Sequence, residues 1–336
     1  MLPAVGLFFL APLTAEFLLG NIPITALYLL PMFALLYGSG AVLIREVARR
    51  RGWGWPTIVA WALAYGVLEE GVTTQSLFNP DYAGQHLLRP GYVHALGMGV
   101  PWTLFVLTLH TVWSISVPIA ITETVARSRP TTPWLRRPGL AVTTVLFAVG
   151  VVATTAVSIG MDPFVASAGQ FAGAGSAIAV LVALGVLLGV RGRGPRTELT
   201  LSAPDPWFLG AGSLAAGSAF MLLALGRGVG TWPGVVIDLA LYATAVVAIG
   251  YCSRLRGFGA AHRLALAGGA LLTYAWHAFP EAPVFPATPT ADLIGNAVFA
   301  AGAVALLVVA ALRLRSGPQA RAEAPADERP RVPRPA

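Results

Sequence analysis

Residues 56–78 read PTIVAWALAYGVLEEGVTTQSLF, an apolar run that carries two adjacent carboxylates, Glu69 and Glu70, near its middle. At about 1.5 Å of helical rise per residue, roughly 20 apolar residues cross a hydrocarbon layer about 30 Å thick. An ionisable side chain at that depth costs at least about 2.5 kcal/mol unless it is protonated, paired or wetted, so the pair marks a candidate functional site.

Working outward, runs of the same kind recur along the whole chain. Ten spans are expected, at about 4–20, 24–44, 56–78, 100–125, 139–160, 171–190, 207–226, 233–252, 264–280 and 293–312. The composition agrees, since only 11% of the residues are charged and 56% are hydrophobic, against roughly 25% charged in a soluble domain. The runs are continuous rather than alternating in short segments, which selects helices over a barrel. The expected fold is therefore all-α, a polytopic transmembrane helix bundle. The first 20 residues lack a basic leading region and a small-residue cleavage site, so they read as a retained span.

All 22 basic residues are arginine. With heavy use of Ala, Gly, Val and Pro, this points to a GC-rich bacterial genome and to the cytoplasmic (cell) membrane. The arginines lie in short connections between spans, where they set orientation and do not form a face for nucleic acid. Placing the N-terminus inside puts every arginine except Arg89 and Arg227 on the cytoplasmic side. N-in and C-in follow. Cys252 is the single cysteine, which excludes an internal disulfide and a cysteine-based metal cluster.

The chain divides by composition. In residues 1–125 the first four spans hold most of the aromatic and ionisable groups that fall within spans. Residues 139–312 are rich in Ala, Gly and Val and read as a tightly packed membrane scaffold. Residues 313–336, mostly Pro, Ala, Arg and Glu, read as a disordered cytoplasmic tail. Residues 79–99 form an external loop with His86, His94, Tyr82 and Tyr92, expected to lie on the membrane or over a cavity mouth.

Helical rise converts offset along a span into depth. Glu16, Glu69 and His277 fall roughly 18 to 20 Å above the cytoplasmic edge of a layer about 30 Å thick, and His110 and Asp238 fall in the same outer slab. A common polar chamber is expected, with Glu69 or Glu70 and His110 at its centre and Glu16, Asp238 and His277 as relay groups. Adjacent helical residues point about 100° apart, so the two glutamates are expected to differ in role. Glu123 is expected to pair with Arg127 one turn on, and Arg45 and Glu46 to border lipid and snorkel.

Glu69 and Glu70, followed by His110 on the next span, resemble the CAAX-protease and bacteriocin-processing family of intramembrane proteases. That family carries Glu-Glu-x-x-x-Arg, Phe-x-x-x-His and His-x-x-x-Asn/Asp motifs. The resemblance covers about Trp61 to Ser116. Thr73 or Thr74 stands at the arginine position, Val106 at the phenylalanine position, and His277 is followed by Glu281. The resemblance implies an intramembrane metalloprotease-like hydrolase, in which a glutamate activates water and His110 helps bind zinc.

Read from the residues alone, a proton-linked small-solute transporter or permease fits the polar layer. The lipid bilayer is the expected partner, with a small solute or proton as cargo. A non-catalytic membrane component, with these groups serving helix contacts, is the third reading.

Overall fold

The computed structural model of the protein describes residues 2–126, 129–193, 198–224 and 231–315. Among the described residues, ten long helices follow in chain order. They are α1 (Leu2–Phe17), α2 (Ile24–Arg50), α3 (Trp55–Leu68, continuing through Glu69–Thr73), α4 (Val100–Val125), α5 (Arg137–Met161), α6 (Ala168–Arg191), α7 (Pro206–Ala224), α8 (Thr231–Cys252), α9 (Ala260–His277) and α10 (Pro289–Arg315). Each expected span has a helix at its place. Seven of them, α2, α4 to α8 and α10, are long and apolar enough to cross a membrane. The tail beyond 315, together with Arg127, lies outside the described residues.

The connections at each end touch one another, as alternate loops of a bundle must. At the arginine-bearing end, Arg50 donates to the Leu135 carbonyl and Arg193 donates to the Arg51 carbonyl. There β1 (Leu199–Ser202) also pairs in parallel with β2 (Leu255–Arg256). At the opposite end Asn79 reaches Asp162, and the Val284 amide bonds the Asn21 carbonyl. Arg45, Arg49, Arg50 and Arg193 thus share one face of the molecule.

Helices α1 to α4 and α9 form the buried centre. Trp113 of α4 stacks on Tyr274 of α9 at 4.7 Å and donates to the Ala270 carbonyl. Helices α5 to α8 and α10 lie outside this centre and leave Val152, Val180, Val246 and Val308 exposed. Of the Ala, Gly and Val-rich helices, α5 to α8 and α10 therefore lie at the periphery, where apolar side chains facing lipid tails lose nothing by staying. Their small residues act at points of close approach. A Cβ on Gly150 would come within 2.5 Å of the Leu35 backbone, and one on Gly185 within 2.3 Å of the Trp61 indole.

The expectation that Arg45 and Glu46 snorkel at the lipid border is overturned, since both are fully buried. Arg45 bonds Glu46 at 2.6 Å and Glu123 at 3.0 Å, with its guanidinium 3.4 Å from the centre of the Trp134 ring. Glu123 pairs with Arg45 and Arg49 across the bundle, and its expected partner Arg127 lies outside the described residues. A carboxylate and a guanidinium that both lose water need a partner of opposite charge in reach, and the loop 129–135 folding over α2 removes that water.

Candidate functional site

Four helices widen into π-helical turns among the described residues, at Leu13–Phe17, Ala34–Gly38, Glu69–Thr73 and Leu109–Ser116. These turns carry Glu16, Tyr37, the Glu69 and Glu70 pair, and His110. A π turn leaves backbone carbonyls without their usual partner and recurs at functional sites. Hydroxyl side chains take up this slack. Thr73 donates to the Leu68 carbonyl at 3.3 Å, Thr74 to Glu69 at 3.1 Å and Ser114 to Leu109 at 3.5 Å, each five residues back.

The turns meet at His110. Its Nε2 lies 2.6 Å from Glu70 Oε1, and its Nδ1 lies 3.2 Å from Glu69 Oε2. Both glutamates thus reach the same ring, one at each nitrogen, where α-helical geometry had led us to expect only one of them to turn towards α4. Glu69 and Glu70 are 2% and 7% exposed and His110 is 5% exposed, so bulk water is excluded. Ser114 Oγ stands 3.2 Å from Nδ1. A neutral imidazole donates from one nitrogen and an imidazolium from both, so the ring can pass a proton between the carboxyls.

The two carboxyls differ in their other partners. Glu70 Oε2 accepts from Thr74 at 3.0 Å and from Ser76, whose oxygen in turn accepts from the Trp102 indole at 3.1 Å. Ser76 can reach back because Gln75, buried and non-glycine, adopts φ 60° and reverses the chain. That left-handed conformation is uncommon for such a residue and is held here by the Gln75 side chain accepting from the Ala166 amide at 2.7 Å. Glu69 Oε2 has no hydrogen bond of good geometry and lies 3.2 Å from His110 Nδ1.

A third carboxylate is coupled through a tyrosine. Tyr37 donates to Glu16 Oε1 at 2.5 Å, and Asn21 donates to Glu16 Oε2 at 2.6 Å. The Tyr37 ring stacks on His110 with centroids 5.9 Å apart, and Tyr65 meets His110 edge-on at 6.1 Å. Gly66 lets α4 come close, since a Cβ there would sit 3.2 Å from His110 Cβ.

Glu16, Glu69, Glu70 and His110 are therefore brought together. Asp238 and His277 are not. Asp238 sits on peripheral α8 with one carboxylate oxygen buried and unpartnered among the described residues. His277, at the end of α9, pairs at 3.4 Å with Glu281, whose carboxyl is pushed above its usual range by burial in the following loop. Equal depth fixes a level and leaves the direction around the bundle open. The loop histidines also serve elsewhere, His86 against Asp81 at 2.7 Å and His94 against the Tyr92 ring. Tyr37, Ser76, Trp102 and Asn21 were not anticipated. Tyr37 shares the depth of His110 and could have been found by the same reasoning, whereas Ser76 depends on a chain reversal that no spacing signals.

One oxygen from each glutamate and one imidazole nitrogen lie within 4.8 Å of one another, so the three residues could also hold a metal ion. Zinc accepts such nitrogen and oxygen donors in tetrahedral sets of four. Here Glu16 is the nearest further carboxylate, and Tyr37 and Asn21 occupy both of its oxygens.

Fold and site define a multi-pass membrane protein with a buried glutamate–histidine–glutamate centre. Residues 6–322 match an uncharacterized membrane protein family, and the chain belongs to it. No curated protein and no solved structure matches the chain.

Proposed function

We propose that Glu69, His110 and Glu70 form the proton-handling centre of a carrier that links proton uptake to movement of a small solute, with Glu16 coupled to it through Tyr37. The observation that carries this reading is the imidazole held between two buried carboxylates, at 2.6 and 3.2 Å. A ring so placed takes a proton at one nitrogen and releases one at the other, while its neighbours keep water from short-circuiting the transfer. Ser76 and Trp102 connect the centre to the loop end of α3 and α4, from which protons would arrive.

The test is reconstitution in vesicles loaded with a pH-sensitive dye, screened against amino acids, sugars and organic cations under an imposed pH gradient. At least one solute should drive proton movement in the wild type, and Glu70→Gln and His110→Asn should abolish it at equal protein content. Movement unchanged in both variants would overturn the reading.

The cluster of three ligand atoms within 4.8 Å favours a second reading, a metal-dependent intramembrane hydrolase. An open apolar groove of about 290 Å³, walled by Trp61, Tyr65, Leu68, Phe147 and Ile178, supports it by giving a membrane-resident substrate a path to Tyr65 beside His110. Stoichiometric zinc in purified protein, lost in His110→Ala, with cleavage of a fluorogenic transmembrane peptide, is its expected outcome. Metal-free protein with no cleavage would remove it.

A further inference from the structure

The arginine-bearing end holds a second set of polar groups that the buried centre does not use. A cavity of about 130 Å³ lies between α2, α3, α4, α9 and the loop 129–135, with Arg49, Trp55, Glu123, Thr131 and Arg263 in its wall. Arg49 is fully engaged. Its Nε and Nη2 bond the two oxygens of Glu123 at 2.8 and 2.7 Å, and its Nη1 donates to the Trp53 carbonyl at 3.0 Å. Glu123 also accepts from Arg45 at 3.0 Å, so its charge is already answered by two guanidiniums.

Arg263 is different. It stands in the first turn of α9, half-buried, and its guanidinium makes no hydrogen bond or ion pair among the described residues. Its charge feels Glu123 and is opposed by Arg49. A guanidinium offers five N–H donors in a planar fork that fits carboxylate and phosphate oxygens. Leaving all of them without an acceptor in a half-buried cavity is costly. Ala260, the first residue of α9, also lines the cavity and turns the positive end of that helix towards it. Thr131 adds a hydroxyl, and Trp55 places an aromatic ring at the same level, as at membrane–water boundaries. The space is enough for one phosphate group.

We infer that this cavity binds a phosphate group, with Arg263 as its principal ligand and the first turn of α9 as its second. Cytoplasmic leaflets are anionic, and basic pockets between spans on that side take phospholipid headgroups. The same chemistry would accept the phosphate of a soluble metabolite. This site is independent of the glutamate–histidine centre and stands whatever that centre does.

The experiment uses full-length protein purified in a mild neutral detergent. Native mass spectrometry measures retention of phosphatidylglycerol against phosphatidylcholine, and melting temperature is followed with and without inorganic phosphate. Wild type should retain phosphatidylglycerol preferentially, and Arg263→Ala should lower that preference about fivefold. Arg263→Lys should keep part of it, and Arg137→Ala, which removes an exposed arginine elsewhere, should keep all of it. Stabilisation by inorganic phosphate that requires Arg263, without a lipid preference, would assign the site to a soluble phosphate. If Arg263→Ala loses its fold, Arg263→Gln replaces it in both arms. Neither lipid preference nor phosphate stabilisation depending on Arg263 would overturn the inference.

Discussion

Glu69 and Glu70 are neighbours in sequence and unequal in their surroundings. Glu70 gathers His110, Thr74 and Ser76, whereas Glu69 Oε2 has no hydrogen bond of good geometry. A hydrogen bond to a charged group contributes about 1.5 to 3 kcal/mol, so Glu70→Gln should lower stability in detergent by about 2 kcal/mol and Glu69→Gln by clearly less. Thermal unfolding followed by tryptophan fluorescence compares them, and equal losses would mean the partners of Glu70 do not hold it. The larger effect belongs to Glu123. Removing one partner from a buried ion group costs about 3 to 5 kcal/mol because the other charges stay buried. Glu123→Ala, which strands Arg49 and leaves Arg45 with Glu46 alone, should reduce folded yield more than any change at the centre. At this scale the sequence showed Glu16, Glu69, Glu70 and His110, because charge inside an apolar run is visible in one dimension. It misjudged Arg45 and Glu46, whose burial comes from a loop that returns over them from some 85 residues away.

The π turns belong to the scale of elements. Each rotates the end of its helix relative to a regular α-helix, and together they aim Glu69, Glu70 and Tyr37 at the His110 ring, with Glu16 behind Tyr37. Apolar periodicity locates spans well, since length and hydropathy are local properties. It carries no mark for one extra residue in a turn, so the convergence of both glutamates on His110 was out of reach. The turn at Ala34–Gly38 has a built-in test. A Cβ on Gly38 would lie 2.0 Å from the Phe8 carbonyl oxygen of α1, a backbone atom that cannot step aside. Gly38→Ala should therefore cost at least about 2 kcal/mol of stability and displace Tyr37 from Glu16. Gly175→Ala, with open space around it, should behave as wild type in the same melting assay. A Gly38→Ala protein that melts like the wild type would show that α1 does not approach α2 so closely.

For the whole molecule, ten helices and the shared face of their arginines were legible because both follow from the energy of moving groups across a bilayer. The sorting of helices into centre and periphery was not, since Ala and Val serve equally against protein and against lipid. Orientation has a direct test in a Cys252→Ser background. Gln85→Cys, in the loop between α3 and α4, should react with a membrane-impermeant maleimide on intact cells, and Ser202→Cys, in β1, only after permeabilisation. The reverse pattern would invert the molecule and place the phosphate pocket outside.

The claim on which the account rests is that the two glutamates and the histidine exchange protons as one unit. Infrared difference spectroscopy of the purified protein between acid and alkaline pH reads this through the carbonyl stretch of protonated carboxyls. The account predicts a band that disappears in Glu69→Gln or Glu70→Gln and shifts in position and midpoint in His110→Asn. A spectrum with no carboxyl band sensitive to any of the three substitutions would contradict it and leave these residues as contacts between helices.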